Sequence, residues 1–451
     1  MNMIKSSSCR AVVSRRGFLK QTSAVAAGAV AASRLPIARS AYAAGGDTIR
    51  LALIGCGGRG SGAALDALTS KANVKLVAMA DAFRERLDGS LKHLAARLPQ
   101  QVDVPEERRF DGLDAYQKAI DAGVDLVIDG APPAFRPAIF EAAVKAGKHV
   151  FMEKPVATDA AGVRRILAAN EEAKKKGLAV AVGLMLRHEA RFQEIVKRLH
   201  GGAIGTISHL RAYENVHATW TRPRRPGQTE MQYQVHNWWN FNWLSGDTIV
   251  QRGVHYLDVA NWILKNHPIR AQGMGGRRSG VGEDHGDIFD HHAVEFEYPG
   301  GARLFGWWRE VPNTWTCFSH NVHGAKGRAE IQAFGNGTLH LDGQPPQVFS
   351  QHLKGLKPMA FTGWQAEWDD LLEALMAGRP YNEADYGATS TMTSILGRMA
   401  TYSGQVVEWD QAINSNVNLV PDRLSWDAIP QPKPGPDGIY PCAMPGVTKA
   451  C

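Results

Sequence analysis

The chain has 451 residues, 44% of them hydrophobic, and this length and composition suit two or three domains with sizeable cores. Its formal net charge is +7, but seven basic residues and no acidic ones lie within residues 1–43. Removing those seven from the 51 Lys and Arg residues leaves as many basic as acidic residues. The body of the chain is therefore formally neutral, which argues against a nucleic-acid-binding protein.

The basic N-terminal segment has the features of an export signal. Arg15 and Arg16 precede a run of small, mildly apolar residues over 22–32, and residues 41–43 form a small-x-small cleavage site. The run is about ten residues long, too short to span a bilayer, and no other stretch approaches the length of a span. We therefore predict a cleaved twin-arginine signal over residues 1–43, a periplasmic or secreted protein exported in folded form, and no stable membrane span.

From residue 48 to residue 182, short apolar strands alternate with amphipathic helices. This alternation implies a parallel sheet with right-handed crossovers. The fold class is therefore α/β, and residues 44–183 are predicted to form a doubly wound Rossmann domain. Strands are predicted at 49–54, 74–80, 125–129, 149–152 and 178–183, and helices at 61–70 and 138–146.

A glycine-rich turn follows the first of these strands and opens the first helix. It carries the GxGxxG pattern of a dinucleotide-binding unit, and Asp81 ends the next strand. The backbone of such a turn approaches a pyrophosphate closely, and the helix N-terminus attracts it. Asp81 would accept hydrogen bonds from the adenosine ribose, which favours NAD, although nearby Arg84 leaves NADP open. The predicted pyrophosphate-binding residues are Gly55, Gly57, Gly58, Arg59 and Gly60.

Further motifs carry a resemblance to a known family. Residues 146–157 read AGKHVFMEKPVA, residues 125–132 form a strand followed by an Ala-Pro turn, and residues 321–327 contain a GAKG turn. Together these motifs resemble the Gfo/Idh/MocA oxidoreductases, the family of glucose–fructose oxidoreductase and inositol dehydrogenase. The resemblance extends from about residue 49 to about residue 402.

The resemblance implies roles for residues around the EKP motif. It places Lys154 beside the nicotinamide and the reacting hydroxyl as a catalytic residue, and Ala131, Pro132 and Glu153 at the cofactor. An ammonium there can hydrogen-bond the hydroxyl, and a positive nicotinamide nearby would lower the lysine pKa toward the range of proton transfer. Arg136 stands where many relatives carry histidine, which suggests an anionic or carbonyl group on the ligand.

The family's D-x-G-x-H motif has its counterpart at residues 251–255. His255 matches the catalytic histidine, whereas Gln251 replaces the aspartate and can hold a hydroxyl but cannot act as a base. Acid–base chemistry then falls to His255 and Lys154. Gln251 and Arg252 are predicted to contact substrate, and Asp258 is a candidate for orienting the imidazole of His255.

Longer alternating strands follow at 206–213, 293–298 and 302–308. Residues 184–420 are therefore predicted to form an α+β domain with a large, open, mostly antiparallel sheet, whose free face would mediate a homo-oligomer. The tryptophans of this region either stack on sugar rings or fill the core and the sheet interface; we expect two or three to line the pocket. They are Trp220, Trp238, Trp239, Trp243, Trp262, Trp307, Trp308 and Trp315.

Polar residues of the second domain add candidates for substrate contact. These are Arg187, just past the last Rossmann strand, together with His236 and Asp290. A metal site at residues 285–292 is not predicted, because successive side chains of a strand point to opposite faces. Residues 421–451 are proline-rich and predicted to be extended, wrapping the surface or a neighbouring subunit.

The export signal constrains the function, because the destination compartment has no free NAD pool. A cofactor loaded before export must then stay bound and be regenerated within the catalytic cycle. We predict an NAD(P)-dependent oxidoreductase acting on a ring or polyol hydroxyl of a sugar or sugar derivative. The alternatives are an NAD-dependent glycosidase working by transient oxidation and elimination, and a non-catalytic sugar-binding protein.

Overall fold

The computed structural model describes residues 48–217, 220–350 and 363–451. The predicted twin-arginine signal and its cleavage site lie outside these residues. Among the described residues, no helix is long and apolar enough to cross a membrane. The architecture consists of two sheets, one in each half of the chain, and the predicted fold class is confirmed.

The first sheet has six parallel strands in the spatial order β3-β2-β1-β4-β5-β6. From β1 the sheet continues to β2 and β3 on one side, and from β4 it continues to β5 and β6 on the other. The carboxyl ends of β1 and β4 therefore flank the crevice where open α/β sheets bind ligands. All five predicted strands are present, whereas β3 is too short to show a periodic pattern in the sequence. The strands are β1 (Ile49–Ile54), β2 (Val74–Asp81), β3 (Arg109–Asp111), β4 (Leu126–Asp129), β5 (His149–Met152) and β6 (Val180–Val182).

Five helices accompany this sheet. The first begins three residues earlier than predicted, because the extended backbone of Gly57 ends the glycine turn and starts the helix directly. The helices are α1 (Gly58–Leu68), α2 (Arg84–Arg97), α3 (Ala115–Asp121), α4 (Arg136–Lys145) and α5 (Ala160–Lys175).

The second sheet has nine strands in the order β14-β13-β12-β11-β7-β10-β9-β8-β15, and all its pairs are antiparallel except β7 with β10. Alternate residues are buried along its central strands, so one face packs on helices and the other faces outward. The strands are β7 (Ile207–Val216), β8 (Arg270–Gly276), β9 (His291–Glu297), β10 (Arg303–Glu310), β11 (Cys317–Gly324), β12 (Gly327–Gln332), β13 (Gly337–Leu341), β14 (Gln347–Phe349) and β15 (Val407–Glu408).

The helices of the second half join the two sheets. On α12, the Thr391 hydroxyl accepts the Val156 N–H at 3.1 Å. On α11, Trp368 stacks on Phe151 of β5 with ring centroids 4.2 Å apart, so this helix packs on the first domain. The helices are α6 (Ala190–His200), α7 (Glu230–His236), α8 (Asn242–Ser245), α9 (Thr248–Gln251), α10 (Val254–Leu264), α11 (Gly363–Met376), α12 (Ala384–Ser403) and α13 (Trp409–Ile413).

The C-terminal tail, residues 421–451, has no helix or strand and packs on its own chain. Tyr440 is buried against Phe241, with ring centroids 4.9 Å apart. Trp426 lies against Phe83 at 5.5 Å, and its carbonyl accepts the Thr229 hydroxyl at 2.6 Å. The tail therefore reaches the edge of the nucleotide-binding domain.

Candidate cofactor and active site

The glycine turn between β1 and α1 is held by close backbone packing. Gly55 has a φ of +84°, and a Cβ there would lie 2.4 Å from the Ala131 nitrogen. A Cβ on Gly60 would lie 2.0 Å from the Gly55 carbonyl oxygen. These two glycines therefore allow β1, α1 and the loop after β4 to meet.

Gly57 and Gly58 leave open space in front of the same helix. A Cβ on Gly58 would meet no atom within 4 Å, and one on Gly57 would meet only the Arg86 guanidinium at 3.8 Å. No side chain caps the N-terminus of α1. The turn thus offers uncapped N–H groups and room for a diphosphate, which fits a dinucleotide.

Asp81 ties this turn to the end of β2. Its carboxylate accepts the Cys56 N–H at 2.7 Å and the Phe83 N–H at 2.9 Å. Burial raises the pKa of Asp81, while the two N–H donors lower it. Each carboxylate oxygen keeps a lone pair for a ribose hydroxyl, since a carboxylate oxygen accepts two hydrogen bonds.

Arg86 lines the cofactor cleft, whereas Arg84 lies outside it. Arg84 lies on the surface of α2 and forms ion pairs with Asp88 of the same helix and with Glu106, which precedes β3. Arg86 lines the cavity next to Gly57, where its charge would act on a diphosphate or a ribose phosphate. Arg86, rather than Arg84, is therefore the residue whose charge would bear on the choice between NAD and NADP.

The loops after β4 and β5 form the next part of the cleft, and Ala131, Pro132 and Glu153 line it. Glu153 lies 2.9 Å from the Arg59 guanidinium, so these two predicted cofactor residues form an ion pair. Arg136 is buried and donates to the carbonyls of Ala131 and Pro155, at 2.7 and 2.6 Å. The suggestion that Arg136 marks an anionic ligand is thus not supported, because its guanidinium binds backbone.

Lys154 lies beyond the end of β5, where the two domains meet. Its ammonium donates to the backbone carbonyl of Gln251 at 2.7 Å. Burial lowers the pKa of Lys154 to about 8, against the opposing effect of Glu153 and Glu214. At pH 7 about one tenth of the side chain is therefore an uncharged amine, which can accept a proton.

Gln251 is the last residue of α9, and His255 is the second residue of α10. Burial and the charges of Lys154 and Arg252 hold the pKa of His255 well below its usual range, so the imidazole is neutral. His255 Nδ1 and Gln251 Oε1 are buried and have no hydrogen-bond partner among the described residues. Buried polar atoms usually have a hydrogen-bond partner, so these two atoms are candidates for hydrogen bonds to a polar ligand.

Arg252 lies between two acids, Glu214 and Glu310, which were not predicted as site residues. Its guanidinium lies 2.5 Å from Glu310 and 3.7 Å from Glu214, and 4.9 Å from the centre of the Trp239 ring. Glu214 and Glu310 are buried on the inner face of β7 and β10, among apolar neighbours. The sequence feature that indicates these two acids is their inward position on an alternating strand, because such a position normally holds an apolar residue.

Three tryptophans close the cleft from the second domain: Trp220, Trp238 and Trp239. Their rings contact one another, with Trp220 and Trp238 centroids 5.9 Å apart and Trp238 and Trp239 centroids 5.4 Å apart. Trp243 and Trp308, by contrast, are fully buried core residues. The cleft that Trp220, Trp238 and Trp239 line has a volume of about 410 Å³, and both the glycine turn and Lys154 line it.

Arg187 and Asp258 pair with each other outside the cleft. The guanidinium of Arg187 donates to both carboxylate oxygens of Asp258, at 2.8 Å, and packs 3.9 Å from the Tyr386 ring centre. Asp258 also accepts the Ser390 hydroxyl. The structure thus places Arg187 in an ion pair rather than at substrate, and Asp258 does not contact His255.

His236 and Asp290 lie away from Lys154. His236 packs edge-on against Phe83 at 5.9 Å. Phe83 lies beside Asp81 at the adenosine end of the cleft, the end where the adenosine ribose of a dinucleotide would meet Asp81. Asp290 binds the backbone N–H groups of Arg278 and Ser279, at 2.8 and 2.6 Å, and lines a smaller pocket of about 90 Å³. Its carboxylate orders that loop.

The polar residues at 285–292 do not converge on a metal. His292 is buried against Asp247 at 3.0 Å, while exposed His291 contacts Asp290 at 2.7 Å. Within the described residues, no group of three or more His, Cys, Asp or Glu side chains is arranged to hold a metal ion.

Two family models match consecutive parts of the chain. The model described as "Oxidoreductase family, NAD-binding Rossmann fold" matches residues 49–204, and the "GFO/IDH/MocA C-terminal domain" matches residues 192–330. Together they cover residues 49–330, more than half of the chain, so the chain belongs to the Gfo/Idh/MocA oxidoreductase family. The predicted NAD cofactor is confirmed, and its binding domain is the one that contains the glycine turn.

Curated relatives include two inositol dehydrogenases. Inositol 2-dehydrogenase 3 of Saccharopolyspora erythraea is 29% identical over 273 residues, which is 59% of this chain and 71% of that protein. The scyllo-inositol 2-dehydrogenase (NAD(+)) of Bacillus subtilis is 24% identical over 255 residues, 56% of this chain and 65% of that protein. This chain thus spans about two thirds of the length of these relatives.

Solved structures share the fold. An aldose-aldose oxidoreductase from Caulobacter crescentus superposes with a TM-score of 0.62 at 21% identity, covering 80% of this chain and 100% of that one. A levoglucosan dehydrogenase complexed with NADH and levoglucosan gives a TM-score of 0.65 at 16% identity, with 81% and 100% coverage. At these identities the likeness shows the fold.

The glycines of the turn separate structural from cofactor-binding effects. We expect Gly60→Ala to destabilise the cofactor-free protein by about 1–3 kcal/mol, because its Cβ would overlap the Gly55 carbonyl. Gly57→Ala should cost less, at most about 1 kcal/mol for its N-cap position, and should weaken NAD binding, because its Cβ enters only the open cradle. Denaturant unfolding and NAD titration of both variants would test this. Equal losses of stability would contradict the assignment of Gly57 to the cofactor.

Proposed function

We propose that this protein is an NAD-dependent dehydrogenase of a sugar or polyol ring hydroxyl, with a cofactor that stays bound and is recycled internally. The observation that carries the proposal is the position of Lys154. Its ammonium is anchored to Gln251 at 2.7 Å and lines the cleft that contains both the glycine turn and the tryptophan wall. A lysine with a pKa of about 8 at that point suits proton transfer from a hydroxyl.

Gln251, which lines the cleft, and His255, whose pKa is lowered by the charge of Lys154, support a polyhydroxylated substrate. Gln251 Oε1 and His255 Nδ1 are unpartnered among the described residues, and hydroxyl groups can pair with both. The tryptophan rings supply apolar faces for the C–H side of a sugar or cyclitol ring. Two inositol dehydrogenases among the relatives agree with this substrate class.

The chemistry assigns one step to each group. In alcohol oxidation the hydroxyl proton would pass to the amine of Lys154, and NAD held at the glycine turn would supply the acceptor for the hydride of the broken C–H bond. Gln251 and neutral His255 orient neighbouring hydroxyls. His255 is a weak proton acceptor here, because a proton on it would add positive charge beside Lys154 and Arg252.

Replacing Lys154 tests the proposed reaction. We expect the wild-type protein to reduce its nicotinamide when mixed with inositols or aldoses, and Lys154→Met to lower that rate about 10²–10⁴-fold with NAD binding retained. The exposed Lys92 provides the control variant Lys92→Met. Absorbance of the reduced nicotinamide is the measurement. Full activity of Lys154→Met would overturn the assignment, and release of free sugar from glycosides would support the glycosidase alternative instead.

Contacts across the adenosine end of the cleft support a retained cofactor. Phe83 lines the cleft directly after Asp81 and Ala82, and Trp426 of the tail packs behind it at 5.5 Å. Arg225 of the second domain forms an ion pair of 2.9 Å with Glu85 on α2. These contacts join the tail and the second domain to the nucleotide-binding domain next to the cleft.

Truncating the tail aromatic residue tests cofactor retention. We expect Trp426→Ala to lose bound NAD faster than the wild type during dialysis, because Phe83 loses its support. Ile429 is 59% exposed in the same tail, so Ile429→Ala is the matched control. NAD content per protein, measured after dialysis, is the readout. Equal retention in all three proteins would argue against the tail as a cofactor clamp.

Export by the twin-arginine route remains part of the proposal. Arg15, Arg16 and the small-residue run that follows support it, and a retained cofactor suits a compartment without free NAD. The N-terminal residue of protein recovered from the periplasm or the medium would report cleavage near residue 44.

The outer face of the second sheet supports a homo-oligomer. Met274, Ala293, Trp307 and Tyr213 lie in register across four adjacent strands, and Met274 is 77% exposed. Trp315 is 61% exposed and packs edge-on against Tyr213. An exposed apolar row on a sheet face is typical of an interface between subunits.

Charged substitutions of Met274, in this row, and of Trp315, which packs against the row, test the oligomer. We expect the double variant Met274→Glu, Trp315→Glu to sediment at a lower mass than the wild type, because burying two carboxylates opposes association. The exposed tail residue Val447 provides the control Val447→Glu. An unchanged sedimentation coefficient for the double variant would exclude this face as the interface.

A further inference from the structure

The hydrogen bond that anchors Lys154 ends on a helix of a single turn. The carbonyl of Gln251 accepts the Lys154 ammonium at 2.7 Å, and Gln251 is the last of the four residues of α9. A helix this short has little stability of its own, so contacts from outside must hold it in place. The position of the Lys154 ammonium therefore depends on whatever holds α9.

Asp247 precedes this helix in a strained backbone conformation. Its φ of 77° and ψ of 165° fall in a region that is essentially restricted to glycine. Its carbonyl accepts the N–H groups of Val250 and Gln251, at 3.0 and 2.8 Å. Its carboxylate caps the helix by accepting the Thr248 N–H. A glycine would fit this backbone without strain, but it would lack the carboxylate.

The carboxylate of Asp247 also ties α9 to β9 and α12. It accepts the N–H of Phe289, just before β9, at 2.9 Å, and the Nε2 atom of His292 on β9 lies 3.0 Å from it. The hydroxyl of Tyr402 on α12 donates to the same carboxylate. Asp247 is fully buried. Contacts from separate elements to one buried carboxylate fix its position, and with it the position of the one-turn helix.

We propose that Asp247 is a positioning residue, which holds the Gln251 carbonyl where that carbonyl fixes the Lys154 ammonium in the cleft. This inference rests on the proposed function, in which Lys154 accepts the hydroxyl proton. Asp247 itself does not line the cleft, so it acts through α9 and not on a ligand. A displacement of about 1 Å in a reacting group can lower a rate about 10²-fold, so a small movement of α9 is enough to slow the reaction.

Two variants separate the carboxylate from the backbone conformation. Asp247→Asn keeps the size of the side chain but turns an amide group toward hydrogen-bond donors, and Asp247→Gly adopts the same backbone without strain. We expect both variants to reduce their nicotinamide about 10–10²-fold more slowly than the wild type at saturating polyol, with the Kd for NAD unchanged. A wild-type rate in Asp247→Gly would overturn the proposal.

The matched control is Asp287→Asn. The buried carboxylate of Asp287 accepts the N–H of Asn242 at 2.8 Å, so it holds the start of α8 and not α9. We expect this variant to keep the wild-type rate. A loss of rate equal to that of Asp247→Asn would contradict the proposal, because it would trace the effect to this layer of the core and not to the cap of α9.

A double-mutant cycle shows whether Asp247 acts through Lys154. In the Lys154→Met background, Asp247→Gly should lower the remaining rate no further, because no ammonium is left to position. A residue with a merely structural role would lower the rate by the same factor in both backgrounds. That result would therefore count against the proposal.

A further measurement needs no turnover and stays informative if the proposed dehydrogenase activity fails. Acetylation of Lys154 by acetic anhydride, followed by peptide mass spectrometry, reports how freely its amine leaves the Gln251 carbonyl. Relative to exposed Lys92 in the same sample, we expect Lys154 to react severalfold faster in Asp247→Gly, but not in Asp287→Asn. An unchanged ratio in Asp247→Gly would overturn the proposal. A raised ratio, without nicotinamide reduction by the wild type, would count against the dehydrogenase activity alone.

Discussion

The hydrogen bond from Lys154 to the carbonyl of Gln251 joins the two domains at the cleft. Lys154 follows the last residue of β5 by two positions, and Gln251 ends α9 in the second domain. Because the bond is to backbone, it fixes the ammonium without neutralising it or consuming a side chain. Gln251 lines the cleft, and its buried amide oxygen has no hydrogen-bond partner among the described residues.

Much of the polar chemistry around the cleft holds backbone rather than ligand. Asp81 binds two N–H groups of the cofactor turn, and Arg136 binds two carbonyls of the loops after β4 and β5. Such bonds rigidify loops that would otherwise have to be ordered when the cofactor binds. A preorganised cradle loses less conformational entropy on binding, which suits a cofactor that stays bound.

The charges nearest the reacting position are arranged as a small, nearly balanced group. Lys154 and Arg252 are opposed by Glu214 and Glu310, all of them in low-dielectric surroundings. Burial shifts the pKa of Lys154 down and that of Glu214 up, so that the two values approach each other. Neither residue would have this property at the surface, where solvent screens both.

The sequence by itself determined the Rossmann domain, the glycine turn and the position of Lys154, because these depend on contiguous patterns whose spacing is dictated by local backbone geometry. Only the tertiary structure decided the use of side chains that meet from distant segments. It paired Arg187 with Asp258, turned Arg136 to backbone, replaced Arg84 by Arg86 at the cleft, and brought Glu214 to Arg252. The reason is that such pairings depend on strand register and helix packing between different segments of the chain, which no local periodicity records.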